Sequence, residues 1–176
     1  ARCCAEAGIK LVHTGSVSVF GPHQAGPFAV ATLPEPTDEY GAYKRECELR
    51  IAQANPDALV ARLGWQIGSA PGGNHMLDFL SRTQAEHGQI AASAAWFPAC
   101  AFLADTAAGL AQLMLDYPAG LYHLDGNPGL SFFAIVSALN RLHGGGWTVV
   151  PSSDPAQNNR MLDDRIQLRP ITAAFN

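Results

Sequence analysis

The residues with the most direct chemical use are Tyr40 and Lys44, in the run Tyr40-Gly41-Ala42-Tyr43-Lys44, read together with Ser16 upstream. On a helix over Asp38 to Asn55, Tyr40 and Lys44 fall one turn apart on the same face, so an ammonium group can lie beside a phenol. A free phenol ionises at about pH 10, and a fixed positive charge within a few ångströms favours the phenolate, bringing the group toward working pH as a proton donor or acceptor. Ser16 adds a second hydroxyl that can hold a substrate oxygen. A Tyr and a Lys four apart are equally at home as an exposed helix pair, so the surrounding elements decide the reading.

Those elements alternate between helix and strand. Ala1 to Ala7 is small and helix-favouring and is closed by Gly8. Ile9 to Val12 then reads as a buried-type strand ending in His13-Thr14-Gly15-Ser16, which puts Ser16 where ligands meet the carboxyl ends of parallel strands. A Ser there also serves as an ordinary turn residue. Gly21 to Pro36 reads as a long loop of the kind that is functional or disordered. Thr37-Asp38 offers an N-cap for the helix that Pro56 stops.

Ala58 to Leu63 is the next strand, ending in Gly64-Trp65. Gly68 to Asn74 reads as a connector, with Asn74 capping a helix over His75 to Glu86. It has neither the Gly-x-x-x-x-Gly-Lys-Ser/Thr nor the Gly-x-Gly-x-x-Gly phosphate-binding pattern. Strands are expected at Gln89 to Ser93, Gly120 to Leu124 and Trp147 to Val150. Helices are expected over Ala101 to Leu115, from Ser131 through Leu142, and over a short stretch from Arg160 to Ile166. Repeated strand–helix alternation predicts an α/β fold, a Rossmann-like parallel sheet with an appended smaller region. The expected division is residues 1–65 for the sheet that carries the catalytic groups and 66–176 for substrate binding.

Composition narrows the function classes. The chain has 176 residues, 48% hydrophobic and 15% charged, as in an ordinary globular domain with a sizeable core. A net charge of −4 with scattered arginines offers no footprint for nucleic acid. No apolar run is long enough to span a bilayer, so no membrane partner is expected. Cys3, Cys4, Cys47 and Cys100 have no Cys-x-x-Cys spacing, which points to a reducing compartment and a cytoplasmic location. The six histidines have no metal-ligand spacing with one another or with the cysteines, so no metal is expected. His123, inside a strand, reads as a hydrogen-bonded core histidine. No Gly-x-Ser-x-Gly elbow supports a hydrolase. Trp65 suits either a sugar or base contact or the core.

The run His13-Thr14-Gly15-Ser16-Val17-Ser18-Val19-Phe20-Gly21 resembles the His-x-Ser-Thr-Asp-Tyr-Val-Phe segment of the dTDP-4-dehydrorhamnose reductases, in the extended short-chain dehydrogenase/reductase superfamily. The gapless match puts Ser16 on the family's catalytic Thr/Ser, and without insertions Tyr40 and Lys44 fall on its Tyr-x-x-x-Lys pair. Ala61-Arg62-Leu63-Gly64-Trp65 resembles Leu-Arg-Thr-Ser-Trp, and Gly120 to Gly126 resembles Gly-x-Tyr-His-Leu-x-Gly. Asp105 with its helix resembles the Asp-Leu-Ala helix, and Asn159 to Asp163 resembles Asn-Ser-Arg-Leu-Asp with one gap.

The resemblance implies an NADPH- or NADH-dependent oxidoreductase acting on a nucleotide sugar, reducing the C4 ketone of a 4-keto-6-deoxy sugar. Tyr40 would donate the proton, Lys44 would assist it and hold the nicotinamide ribose, and Ser16 would orient the carbonyl. Trp65, Asn74 and Arg160 are the candidate substrate contacts. Val17, Ser18, Tyr43 and Cys47 depart from the pattern beside the catalytic positions, and two residues are inserted between Pro98 and Asp105, which bears on substrate choice. The family's first strand and its Gly-x-x-Gly-x-x-Gly turn have no counterpart here, so the chain is expected to be a piece of a longer enzyme, weak or inactive alone. An epimerase or dehydratase of the same superfamily, or a non-catalytic binding subunit on this fold, is the alternative reading. A homodimer formed through an open sheet edge is also expected.

Overall fold

The computed structural model describes residues 1–70 and 72–175. Of the expected connector Gly68 to Asn74, Pro71 lies outside the described residues. The chain opens with α1 (Arg2–Glu6), ended by Gly8 at φ +65°, and runs into β1 (Val12–Ser16) and a 3-10 turn at Val17–Val19. Next come β2 (Phe28–Ala29), α2 (Glu39–Ala54), β3 (Leu59–Leu63), β4 (Trp65–Ile67) and α3 (Met76–His87). The remainder is β5 (Ile90–Ser93), β6 (Trp96–Phe97), β7 (Cys100–Phe102), α4 (Leu103–Asp116), β8 (Gly120–Leu124), α5 (Phe132–Leu142), β9 (Val149–Ser152), β10 (Gln157–Asn158) and β11 (Met161–Leu162).

The main sheet has the order β1-β3-β8, all parallel, with Val12 opposite Leu59 and Leu59 opposite Gly120. Four short parallel pairs extend the architecture: β4 with β7, β5 with β9, β6 with β10 and β2 with β11. This is the α/β arrangement expected of the sequence. Strand alternation sorts the side chains. Leu59 and Ala61 of β3 join Tyr122 and Leu124 of β8 in a core that includes Leu113 of α4. The opposite face of the same strands carries Arg62, which meets α2. A second core, built from Met76, Leu77 and Leu80 with Ile135, Val136 and Leu139, sets α3 and α5 against β4 and β5.

Several boundaries differ from expectation for identifiable reasons. His13 to Ser16 belong to the strand itself, because five consecutive residues from Val12 to Ser16 pair with β3. The first residues of the expected helix at Ala101 are drawn into β7 by pairing with β4. The strand expected at Trp147 begins at Val149, opposite Ile90. No helix forms over Arg160 to Ile166: the Phe28 N–H donates to the Arg160 carbonyl and the Met161 N–H to the Asp125 carboxylate, so ladder and side-chain partners displace helical ones. His75, not Asn74, occupies the N-cap of α3, and Asp78 orders the turn by accepting from the Gly72, Gly73 and His75 N–H groups. β8 lies beyond residue 66 yet completes the main sheet, so the sheet is assembled from both of the expected segments.

Among the described residues, β1 has β3 as its one partner, and its other edge presents the backbone of Val12 to Ser16. Ile9, leading into it, is 60% exposed. Such an edge accepts another strand. The 176-residue chain is therefore expected to self-associate with increasing concentration in light scattering; a constant monomer mass across the accessible range would count against an adhesive edge.

Candidate active site

The proposed reacting groups gather at the carboxyl end of β1. Asp38 caps α2 by accepting the Gly41 N–H at 2.7 Å, which starts the helix so that Tyr40 lies in its first turn and Lys44 in its second. Lys44 Nζ donates to the Thr14 carbonyl of β1 at 2.7 Å. The ammonium is thus tied to the sheet two residues before Ser16, while its other two N–H groups stay free for a ligand. Ser16 is buried and its Oγ accepts from the Ser18 N–H at 3.1 Å, capping the 3-10 turn. Because Oγ accepts in that bond, its own O–H proton remains available for a substrate oxygen. Tyr40, in the first turn of α2, is 57% exposed.

Two glycines make this convergence possible. A Cβ at Gly15 would sit 3.1 Å from Glu48 Oε1 and 3.2 Å from Arg62 Cγ, closer than most real contacts. A Cβ at Gly41 would run into the Ser18 carbonyl oxygen. The residue beside Tyr40 is therefore bare because the first turn of α2 rests on the backbone that follows Ser16. Tyr43 is 65% exposed, and its neighbour Cys47 raises its phenol pKa.

Beneath α2 lies a row of cross-strand neighbours, Gly15 of β1, Arg62 of β3 and His123 of β8. Arg62 donates through Nε and Nη2 to the two oxygens of Glu48, each at 2.8 Å, and Arg45 adds a third donor at 3.0 Å. Burial opposes ionisation of Glu48, but its bonds to Arg62 and then Arg45 overcome that and hold its pKa below the usual value. His123 has its pKa lowered to about 4, by burial first and by the charge of Arg62 second. It is therefore neutral at pH 7, and its tautomer follows: Arg62 Nη1 can only donate, so Nε2 accepts at 3.3 Å and Nδ1–H donates to the Phe28 carbonyl at 3.2 Å. This is the core histidine the sequence suggested, with a named set of partners. The His13 imidazole is likewise pushed toward neutrality, by burial and then by Lys44.

The sequence reading passed over Gly15, Gly41, Glu48 and Arg62 as structural parts of this group. An Arg inside the apolar run Ala58 to Leu63 was the available signal, since a charge in a buried strand demands a partner.

A cleft of about 400 Å³ adjoins this end, lined among others by Ser18, Phe20, Gln24, Asp38, Asn158 and Asn159. Aromatic floor and amide rim together suit a polyhydroxylated ligand. Arg160 stands at its far side, donating to the Pro128 carbonyl at 3.1 Å and to Asn158 Oδ1 at 3.2 Å. Trp65 follows β3 at the same end of the sheet, stacked on Trp96 and Phe132 and edge-on to Phe79. Asn74 immediately precedes His75, the N-cap of α3. Asp125, just past β8, accepts from the Cys100, Asn127 and Met161 N–H groups. Burial pushes its pKa up to about 6 against the pull of those bonds. Among the described residues no three His, Cys, Asp or Glu side chains converge as a metal site, and no helix is long and apolar enough to cross a membrane.

The parallel sheet with helices packed against it has the Rossmann-like α/β fold. The chain belongs to the family described as the RmlD substrate binding domain, whose model matches residues 1–158. Among solved structures it is similar to the dTDP-4-dehydrorhamnose reductase of Bacillus anthracis str. Ames in complex with NADP, at 18% identity, TM-score 0.82, covering 99% of this chain and 66% of that one. It is also similar to a dTDP-4-dehydrorhamnose reductase of Clostridium acetobutylicum, at 17% identity and TM-score 0.79, covering 93% and 60%. A dTDP-glucose 4,6-dehydratase of Streptomyces venezuelae with NAD bound aligns at 19% identity and TM-score 0.65, covering 96% and 52%. The chain thus spans about two thirds or less of the length of these proteins. No curated protein sequence matches it significantly.

The lowered pKa of His123 has a measurable consequence. A base whose folded pKa lies below its unfolded value adds stability that is complete above about pH 6.5 and is lost as pH falls through about 4. The stability advantage of the wild-type chain over His123→Gln should therefore shrink by roughly 3 kcal/mol between pH 7 and pH 4. Urea unfolding of both chains across that range checks it, and a pH-independent difference would mean that His123 is not buried as a neutral base.

Proposed function

We propose that this chain carries the catalytic and substrate-binding residues of a nicotinamide-dependent nucleotide-sugar reductase that reduces a 4-keto-6-deoxy sugar. The observation that supports the reading is the bond from Lys44, one turn after Tyr40 on α2, to the Thr14 carbonyl two residues before Ser16, whose hydroxyl is still able to donate. In this proposal residues 1–65 supply the reacting groups, and residues 66–176 supply most of the substrate wall and return β8 to the sheet.

The Lys44 ammonium, one turn after Tyr40 on the same helix face, keeps two N–H donors beyond its bond to Thr14, which suits the paired hydroxyls of a nicotinamide ribose. A reduced nicotinamide, NADPH or NADH, supplies the hydride when bound. The chain's own groups manage the oxygen. Ser16 Oγ–H donates to the sugar ketone and fixes its plane, so that the carbonyl oxygen lies where Tyr40 can reach it. Tyr40 gives up its phenolic proton as charge develops on that oxygen, so no free alkoxide forms. Lys44 stabilises the phenolate left behind. Trp65, Asn74 and Arg160 are assigned to substrate contact: Trp65 offers an aromatic face, Arg160 a guanidinium for the anionic diphosphate, and Asn74 an amide.

Epimerase and dehydratase chemistry uses related groups on the same fold. The higher TM-scores to reductases than to the dehydratase, 0.82 and 0.79 against 0.65, favour reduction.

Reductase turnover with a dTDP-4-keto-6-deoxyhexose, followed by nicotinamide absorbance, tests the reading. Tyr40→Phe should lower kcat by roughly 10²–10⁴-fold with little change in sugar-nucleotide binding. Lys44→Met should slow turnover and weaken cofactor binding together. Tyr43→Phe, at an exposed position, should be near neutral. A crippled Tyr43→Phe beside an active Tyr40→Phe would end the assignment.

A further inference from the structure

Arg62 is only 1% exposed, Glu48 only 4%, and neither belongs to the set of groups that would touch substrate or cofactor. Enclosing an ion pair costs so much desolvation that apolar residues of similar size would commonly stabilise a fold as well or better, so such a pair is weak support for stability and strong support for geometry. The geometry it governs is specific. Tyr40, Lys44 and Glu48 occupy successive turns of α2, spaced four apart on one face. A bidentate fork with two 2.8 Å bonds fixes both the rotation of that face about the helix axis and its height over the sheet. Gly15 provides the room for it.

The third arm of Arg62 reaches elsewhere. Nη1 donates to neutral His123, whose Nδ1–H donates to the Phe28 carbonyl. Phe28 lies within the long loop between β1 and α2 and lines the cleft beside Ser18, stacked on Phe20 at 4.1 Å. Arg62 also lies over the Phe20 ring, 5.0 Å from its centre. One guanidinium therefore joins the helix bearing Tyr40 and Lys44 to the loop that forms the cleft floor.

We propose that Arg62 is a positioning residue: through Glu48 it sets the azimuth of α2 so that the Lys44 ammonium is seated on Thr14, and through His123 it holds the Phe20–Phe28 floor in register with that ammonium. The catalytic meaning of this coupling rests on the reading of Tyr40 and Lys44 as reacting groups. The seating of Lys44 does not, and it can be measured without substrate.

The chain contains only two lysines, Lys10 and Lys44, and Lys10 is bonded to the Tyr117 carbonyl, near the C-cap of α2 rather than the turns that carry Tyr40 and Lys44, so it serves as an internal reference. The full chain is treated with a trace of an amine-acylating reagent, and the Lys44-to-Lys10 labelling ratio is read by peptide mass spectrometry, with urea unfolding on the same samples. Arg62→Lys keeps a cation but loses the fork; it should raise the ratio about fivefold or more, as expected when a local opening is favoured, while the chain remains folded. Glu48→Gln should act in the same direction. Arg50→Met, which breaks the exposed Arg50–Glu46 pair of the same helix, should leave the ratio unchanged. An unchanged ratio in folded Arg62→Lys and Glu48→Gln chains would overturn the proposal, as would an equal rise in Arg50→Met. In the reductase assay Arg62→Lys should lower kcat with little effect on the sugar-nucleotide KM. Absence of turnover in the wild-type chain would count against the functional reading alone, since the labelling ratio still decides the role of Arg62.

Discussion

The close approach of α2 to the edge of the main sheet is the constraint on which the rest of the site depends. A helix resting on a sheet is ordinarily held off by side chains on both surfaces. Here Gly41 on α2 lets the helix backbone rest on the Ser18 carbonyl just past β1, and Gly15 on β1 leaves room for the Glu48 and Arg62 side chains. That approach lets Lys44 reach the Thr14 carbonyl directly and leaves a carboxylate, Glu48, enclosed against the strand behind it. The turns of α2 that carry Tyr40 and Lys44 are thereby set against β1, the strand that ends in Ser16.

Enclosing charge at that contact has electrostatic consequences for the histidines around it. His13 and His123 lie beside cations in low dielectric, and both are pushed toward the neutral form. A neutral His123 can accept from Arg62 on one nitrogen and donate to Phe28 on the other, whereas an imidazolium would face the guanidinium with like charge. The network is thus satisfied in only one protonation state. Asp125 works in the opposite sense, as a buried carboxylate whose cost is offset by three backbone N–H groups drawn from β7, from the turn before α5 and from β11. It ties the late part of the chain to the end of β8.

The walls of the cleft come from short parallel pairs whose members are far apart in sequence. β2 pairs with β11, and β6 with β10, each over two residues. Pairs so short have little stability of their own. Phe28 and Met161 are held instead by packing with Val19, Phe20 and Ala99, and Trp96 by a hydrogen bond to Asn159 at 2.9 Å. The cleft wall therefore follows the packing that supports it, and substitutions at Phe20, Phe28 or Met161 reshape the cleft without touching Tyr40 or Lys44.

Sequence alone was enough for the elements whose signals are local. The helix from Asp38 to Pro56, the Ser131 cap, the strand from Gly120 to Leu124 and the helix-stopping Gly8 all follow from capping, breaking and apolar runs within a few residues. The one-turn spacing of Tyr40 and Lys44 and the α/β class follow from the same periodicities. Tertiary structure decided what depends on partners remote in the chain. β1 extends to Ser16 because β3 lies beside it, Arg160 to Ile166 is extended because Phe28 and Asp125 take its backbone groups, and Asp78, not Asn74, orders the turn before α3. Arg62 in an apolar strand and two glycines beside chemically useful residues were visible as oddities. Only the packing of α2 on β1 and β3 gives them a reason, because the free energy of a buried charge or a missing Cβ is set by whatever the fold places within a few ångströms of it.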